Sequence, residues 1–311
     1  MKRNVLITCK QLQQTIDFYR SLFSEQGIEI ELPHIVQKLD ESELFKIIDR
    51  FDGVIAGDDE FTTKVLEKGK RLKVIAKWGV GVDAIDIEAA NRLGIRVSNT
   101  PNVFGDEVAD VVIGYIILLA RQLHKLDQSI RKGNWNKIQG ISLSGKTLGV
   151  IGVGSIGRAL VKRALAAKMN IVGYDEAAIQ PSFVKEIGLR IATFEELLKV
   201  SDFISLNCNL TSLNRHMLGD PEFAIMKKGV FIINTARGPL IDENALANAL
   251  REGKVAGAAL DVFEEEPLSP DSPLREFDSC IFGAHNSSNT YEAVMRTNEL
   301  AIRNLLDGLK V

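Results

Sequence analysis

The chain has 311 residues, 45% hydrophobic and 25% charged, with 38 basic side chains against 41 acidic ones. That length favours two domains over a single core, and the charge balance offers no field to draw nucleic acid or an anionic membrane. No run approaches the ~18 consecutive apolar residues of a membrane span. The opening Met1-Lys2-Arg3-Asn4-Val5-Leu6-Ile7-Thr8 turns polar too soon for a secretory signal and reads as a first strand. Cys9, Cys208 and Cys280 are far apart and odd in number. They predict neither a metal site nor a disulfide framework, and they suit a cytoplasmic protein.

Along the chain, short apolar runs alternate with helix-length segments. The runs are 5–7, 53–56, 73–76, 148–151, 170–174, 203–206, 230–233 and 256–260. Runs of this kind, apolar on both faces, predict parallel sheets with helical crossovers. The pattern restarts once: one α/β unit covers 1–99, a long helix is expected over 106–126, and Lys132-Gly133-Asn134-Trp135 leads to a second unit opening at Lys146. The last segment, 291–309, reads as an amphipathic helix whose Leu300, Leu305, Leu306 and Leu309 return to the first unit.

The sharpest signal is Gly152-Val153-Gly154-Ser155-Ile156-Gly157, directly after an apolar run. A G-x-G-x-x-G turn between strand and helix lets backbone approach a pyrophosphate and offers it the helix N-terminus. Glycine-rich turns alone are common, but here Asp175 closes the next strand, roughly 20 residues on, where an acid meets a ribose. The pair Asp175-Glu176 has no arginine beside it in sequence and would repel a 2′-phosphate, so NAD is expected rather than NADP.

Three later segments follow strands. Asn234-Thr235-Ala236-Arg237-Gly238 places Arg237 where a guanidinium can grip a carboxylate or polarise a carbonyl. Glu264-Glu265-Glu266-Pro267 is an acid run of the kind that is usually a solvated loop. Phe282-Gly283-Ala284-His285-Asn286-Ser287-Ser288 carries His285, one of four histidines, which reads either as a structural histidine or as an acid/base. Hydride transfer to a ketone needs a donor cofactor, a proton donor at oxygen and a cation near the developing charge, and these segments hold all three.

From Trp78-Gly79-Val80-Gly81-Val82-Asp83 through the glycine turn to His285, the chain resembles the D-isomer-specific 2-hydroxyacid dehydrogenase family, in particular its phosphoglycerate-dehydrogenase-like branch. The resemblance implies two doubly wound parallel-sheet domains. One is a flavodoxin-like substrate domain over 1–100 and 290–311; the other is an inserted NAD-binding Rossmann domain over 101–289. It implies homodimers joined through the NAD-binding domain, with a small 2-hydroxy or 2-keto acid as substrate. By the same resemblance Arg237 binds substrate, His285 is the acid/base, and Glu266, which directly precedes Pro267, is its carboxylate partner. Gly152, Gly154, Ser155, Ile156, Gly157 and Asp175 match cofactor positions, as do Cys208, Thr235, Ala236, Arg237, Asp261, His285, Ser287 and Ser288. Val80 and Gly81 match the loop that holds the substrate carboxylate. Lys77 stands at a position often basic in that branch, and together with Asn286 it leads to the expectation of a substrate with a second anionic or polar group.

Two segments depart from the family pattern: Asn207-Cys208-Asn209 replaces His-x-Pro, and Asn286-Ser287-Ser288 follows the histidine. Neither touches the acid/base pair. The chain stops at Val311, so no serine feedback through a C-terminal regulatory domain is expected. The competing functions are an NADH-binding corepressor, which shares this fold, a different acid such as glyoxylate or hydroxypyruvate, and formate or phosphite oxidation. Formate enzymes of this kind carry glutamine where Glu266 stands.

Overall fold

The structure, a computed structural model, describes residues 2–310; Met1 and Val311, where the readings of the chain's start and stop fall, lie outside the described residues. It divides into two compact units, one of residues up to Val103 together with those from Asn289 onward, the other of Phe104–Ser288.

The first unit carries β1 (Arg3–Ile7), β2 (Ile28–Glu31), β3 (Gly53–Ala56), β4 (Val74–Lys77) and β5 (Arg96–Ser98). They form a parallel sheet in the order β2-β1-β3-β4-β5, the flavodoxin-like arrangement. Central β3 and β4 are buried at every residue, as strands covered by helices on both faces must be. The helix Tyr291–Leu309 packs on β3 and β4. Its buried stripe runs through Ala293, Val294, Ala301, Ile302, Leu305 and Leu309, while Leu300 and Leu306 lie at its half-buried margins. The expected stripe was therefore rotated: small residues face the sheet so that the helix approaches closely, and a Cβ on Gly308 would overlap the Val74 side chain.

The second unit carries β6 (Thr147–Ile151), β7 (Asn170–Tyr174), β8 (Arg190–Ile191), β9 (Phe203–Leu206), β10 (Val230–Asn234), β11 (Val255–Leu260) and β12 (Cys280–Phe282). Their order, β12-β11-β10-β9-β6-β7-β8, is parallel throughout. Taken in chain order this is the dinucleotide-binding 3-2-1-4-5-6 sheet with one strand added beyond the sixth. The order reverses between β6 and β9, which opens a crevice at their carboxyl ends.

The helix expected over 106–126 is two helices, Gly105–Arg121 and Leu123–Arg131, separated by Gln122 in the left-handed region at φ 52°. The returning chain explains the stop. Ile141 N donates to Ala120 O, and the Gln122 side chain donates to Gln139 O. The first of these contacts occupies a carbonyl that a continuing helix would use itself.

Candidate active site

The glycine turn runs from β6 into the helix Ser155–Ala166. Gly152 has φ 88°, and a Cβ there would stand 2.6 Å from Cys208 N, so the turn lies against the chain leaving β9. A Cβ on Gly157 would overlap Gly152 O, so no larger residue allows the helix to start this close to its strand. The helix N-terminus has no side-chain cap, which leaves first-turn N–H groups of Ser155, Ile156 and Gly157 directed at the crevice. Asp175, at the end of β7, accepts from Val153 N at 2.7 Å and Ala177 N at 2.9 Å. Its carboxylate is thereby fixed beside the turn.

Arg158 is a residue that sequence reasoning passed over, although it directly follows Gly157. It donates from Nε to Val153 O (3.1 Å) and from Nη1 to Gln180 Oε1 (3.0 Å), and it lies over the Phe183 ring. No arginine adjoins Asp175-Glu176 along the chain, yet one grips the carbonyl of Val153, the residue whose N–H Asp175 holds. Cys208 is half-buried; burial, with the Asp175 and Glu176 carboxylates nearby, pushes its thiol up to about 11. In the departing segment around it, Asn207 bonds Ser205 O at 3.1 Å, and Asn209 O accepts from the Asn214 amide at 2.8 Å.

Past β10, buried Asn234 shapes a turn. Its side chain accepts from Ala236 N at 3.0 Å and donates to Arg237 O at 2.8 Å. A Cβ on Gly238 would overlap the Phe263 backbone, so the turn bearing Arg237 runs hard against the segment bearing the glutamates. The Thr235 hydroxyl is buried and has no partner among the described residues. An orphaned polar atom of this kind costs free energy unless something else meets it. With the glycine cradle, the uncapped helix and Asp175, it makes these residues fit a dinucleotide.

The three glutamates separate cleanly. Glu264 accepts from His216 Nε2 (2.9 Å) and Arg215 (3.1 Å), and Glu265 is exposed. Glu266 reaches His285: Nδ1 to Oε2 is 2.8 Å, while Oε1 accepts from Phe263 N at 3.0 Å. A carboxylate so placed fixes the tautomer and orientation of the ring and favours its charged form. His285 has φ 52°, and its N donates to Asp261 O at 2.7 Å. The Asp261 carboxylate accepts from Asn286 N (3.1 Å), Ser287 N (2.8 Å) and the Ser287 hydroxyl. Asp261 and Ser287 thus meet one another, both buried, and mould the loop that presents His285. Tyr115, from the helix Gly105–Arg121, completes this corner; burial and then Asp261 push its phenol up to about 12. Ser288 is half-buried beside Ser287, and Ala236 is half-buried in the Arg237 turn.

In the first unit, Lys77, Val80 and Gly81 adjoin one another at the end of β4. Thr100 pins Gly79 through its hydroxyl (Gly79 N to Oγ1, 2.9 Å) and its own N–H (Thr100 N to Gly79 O, 2.9 Å). The Asn99 amide donates to Val80 O at 2.6 Å. Among the described residues none accepts the N–H of Val80 or Gly81. Lys77 is buried and paired with Asp58 Oδ1 at 2.7 Å, so it does not stand beside this loop as a bare cation.

Comparison with known proteins agrees with this geometry. Residues 113–287 match the family description "D-isomer specific 2-hydroxyacid dehydrogenase, NAD binding domain". The chain is 45% identical over 253 residues to a D-3-phosphoglycerate dehydrogenase of Methanocaldococcus jannaschii, covering 80% of this chain but 48% of that longer protein. It is 42% identical over 257 residues to a glyoxylate reductase of Thermococcus litoralis, covering 80% of this chain and 77% of the relative. A crystal structure of D-lactate dehydrogenase from Aquifex aeolicus, complexed with NAD and lactic acid, superposes with a TM-score of 0.87 at 28% identity, over 99% of this chain and 97% of that one. The chain therefore belongs to the D-isomer specific 2-hydroxyacid dehydrogenase family and is an NAD-dependent oxidoreductase.

Proposed function

We propose that the chain interconverts a small 2-keto acid and its D-2-hydroxy acid, with NADH reducing the keto acid. The observation that carries this reading is the 2.8 Å bond between Glu266 and His285, held on a segment that packs against the Arg237 turn. When bound in these residues, NAD(H) would supply or accept the hydride at C2. The chain handles charge and protons around it. His285, as imidazolium, donates a proton from Nε2 to the carbonyl oxygen during reduction and takes it back during oxidation. Arg237 stabilises the negative charge that develops on that oxygen. Val80 and Gly81 offer backbone N–H groups to the substrate carboxylate, and the domain bearing them, 1–100 with 290–311, serves as the substrate domain. Asp175 takes the adenosine ribose, and the first turn of Ser155–Ala166 takes the pyrophosphate.

The relatives are named for phosphoglycerate, glyoxylate and hydroxypyruvate, and we place this chain with the small, unphosphorylated acids. A homodimer through the NAD-binding unit is supported by exposed apolar side chains at Ile117, Leu123, Ile130 and Trp135 on and after its long helix. A cytoplasmic location is supported by three unbridged thiols, of which Cys9 is pushed up to about 12 by burial. The test is NADH oxidation with glyoxylate, hydroxypyruvate, pyruvate and oxaloacetate, repeated with NADPH. Turnover of at least one acid with NADH preferred is the expected result. A chain that binds NADH and reduces none of them is a binding module, and the enzymatic reading fails.

A further inference from the structure

The carboxyl ends of β1, β3 and β4 gather a second polar cluster within the first unit. Lys77 Nζ donates to Gly57 O at 2.7 Å and to Asp58 Oδ1 at 2.7 Å. The lysine side chain is 5% exposed and the aspartate 39%, so the cation is sunk and the carboxylate stands at the surface above it. Gly79 has φ 126°, and a Cβ built on it would lie 3.7 Å from Lys77 Nζ. The ammonium therefore sits against the very loop whose Val80 and Gly81 N–H groups meet no acceptor among the described residues.

A substrate carboxylate held on that loop has an ion pair for a neighbour rather than a bare cation. A lone buried ammonium would attract a second anionic group strongly, because its field is little screened there. Paired with a carboxylate, its field largely cancels beyond the pair, and Asp58, the more exposed partner, meets an approaching anion first. Stability alone does not require Asp58 at the surface, since any buried acceptor would satisfy the lysine.

We propose that Asp58 is a specificity-determining residue that neutralises Lys77 and so makes the chain select 2-keto acids with short or uncharged tails over those with an anionic tail. This rests on the dehydrogenase reading above and names the substrate class of that same site.

The experiment compares kcat/KM with NADH for glyoxylate and pyruvate against oxaloacetate and phosphohydroxypyruvate. It uses the wild type, Asp58→Asn, Asp58→Ser and the double variant Asp58→Asn/Lys77→Met. The wild type should favour the tailless acids. Either single variant should raise the anion-tailed to tailless ratio at least about fivefold through KM, a gain that fades as salt rises. The double variant should lose the gain. A wild type that already prefers the anion-tailed acids overturns the inference, whether or not the variants fold. So do variants in which every substrate changes by the same factor. A chain that reduces none of the four overturns the dehydrogenase reading itself, whereas turnover with an unmoved ratio overturns the role of Asp58 alone.

Discussion

At the carboxyl edge of the seven-stranded sheet, polar groups are left open; at that of the five-stranded sheet, most are turned on one another. The glycine turn after β6 ends in an uncapped helix, and the Thr235 hydroxyl nearby is buried without a partner among the described residues. After β1 and β3 the opposite holds. The buried Thr8 hydroxyl donates to Asp59 and accepts from Gly57 N at 3.0 Å, and Asp59 also accepts from Leu39 N at 2.8 Å. Both edges lie where strand order reverses, the place topology reserves for ligands. Side chains decide what becomes of such a place. Glycines and unmatched donors keep it receptive, and reciprocal hydrogen bonds make it part of the core.

If the chemistry belongs to the open edge, His285→Ala is the most damaging change there. It should lower kcat about 10²- to 10⁴-fold while NADH binding, read by fluorescence titration, is left largely intact, its Kd rising by less than about tenfold. Glu266→Gln should cost less and move the pH profile. Reduction needs the imidazolium, which loses its anionic partner, so the alkaline limb of reduction should shift to lower pH, and the acidic limb of oxidation with it. An unchanged rate and profile in Glu266→Gln would leave the 2.8 Å bond without a catalytic part.

Next in size is a change that closes the open edge. Gly152→Ala places a methyl 2.6 Å from Cys208 N at a φ of 88°. The Kd for NADH should rise at least about tenfold, or about 1.4 kcal/mol, and tight binding by the variant would show that the turn does not seat the cofactor.

The smallest expected effect comes from the closed edge. Thr8→Val keeps the shape and removes the hydroxyl that holds Asp59. Burial already pushes the Asp59 carboxyl up, against the pull of Thr8 and the Leu39 N–H. The variant should lose about 1–3 kcal/mol of stability. Without the hydroxyl the carboxyl rises further, so a buried acid must ionise as pH increases, and the thermal melt should suffer more at pH 8 than at pH 5. The KM for NADH should not move. A changed KM with an intact melt would mean that the two edges are not distinct in kind.

Much of this was legible along the chain, for reasons that differ by element. β3, β7 and β9 coincide with apolar runs because central strands in a covered sheet are apolar on both faces. β2 (Ile-Glu-Ile-Glu), β5 and the two-residue β8 escaped notice. They lie at sheet edges, are short and are half polar, and nothing but their neighbours makes them strands. The break at Gln122 was invisible because its cause, the loop at Gln139–Ile141, arrives from farther along the chain. In the site, the glycine turn and Asp175 follow from local spacing. Choosing Glu266 among three glutamates took a family resemblance, since its partner His285 lies beyond a strand. Asp58, Asp59 and Arg158 stand in no recognisable pattern, and their roles come only from partners that folding delivers.

The helix Tyr291–Leu309 covers the five-stranded sheet, yet it is made after the whole of the second unit. Its buried Leu305 and Leu309 belong against β3 and β4, more than two hundred residues earlier. At about 5–20 residues per second of synthesis, β4 waits roughly 10–40 s for its cover. During that interval a strand pair buried at every position in the finished fold has one face open to whatever is nearby. The second unit, Phe104–Ser288, is contiguous and has no such debt. It is complete as a sequence before that cover emerges, so it can close its core before the unit that precedes it.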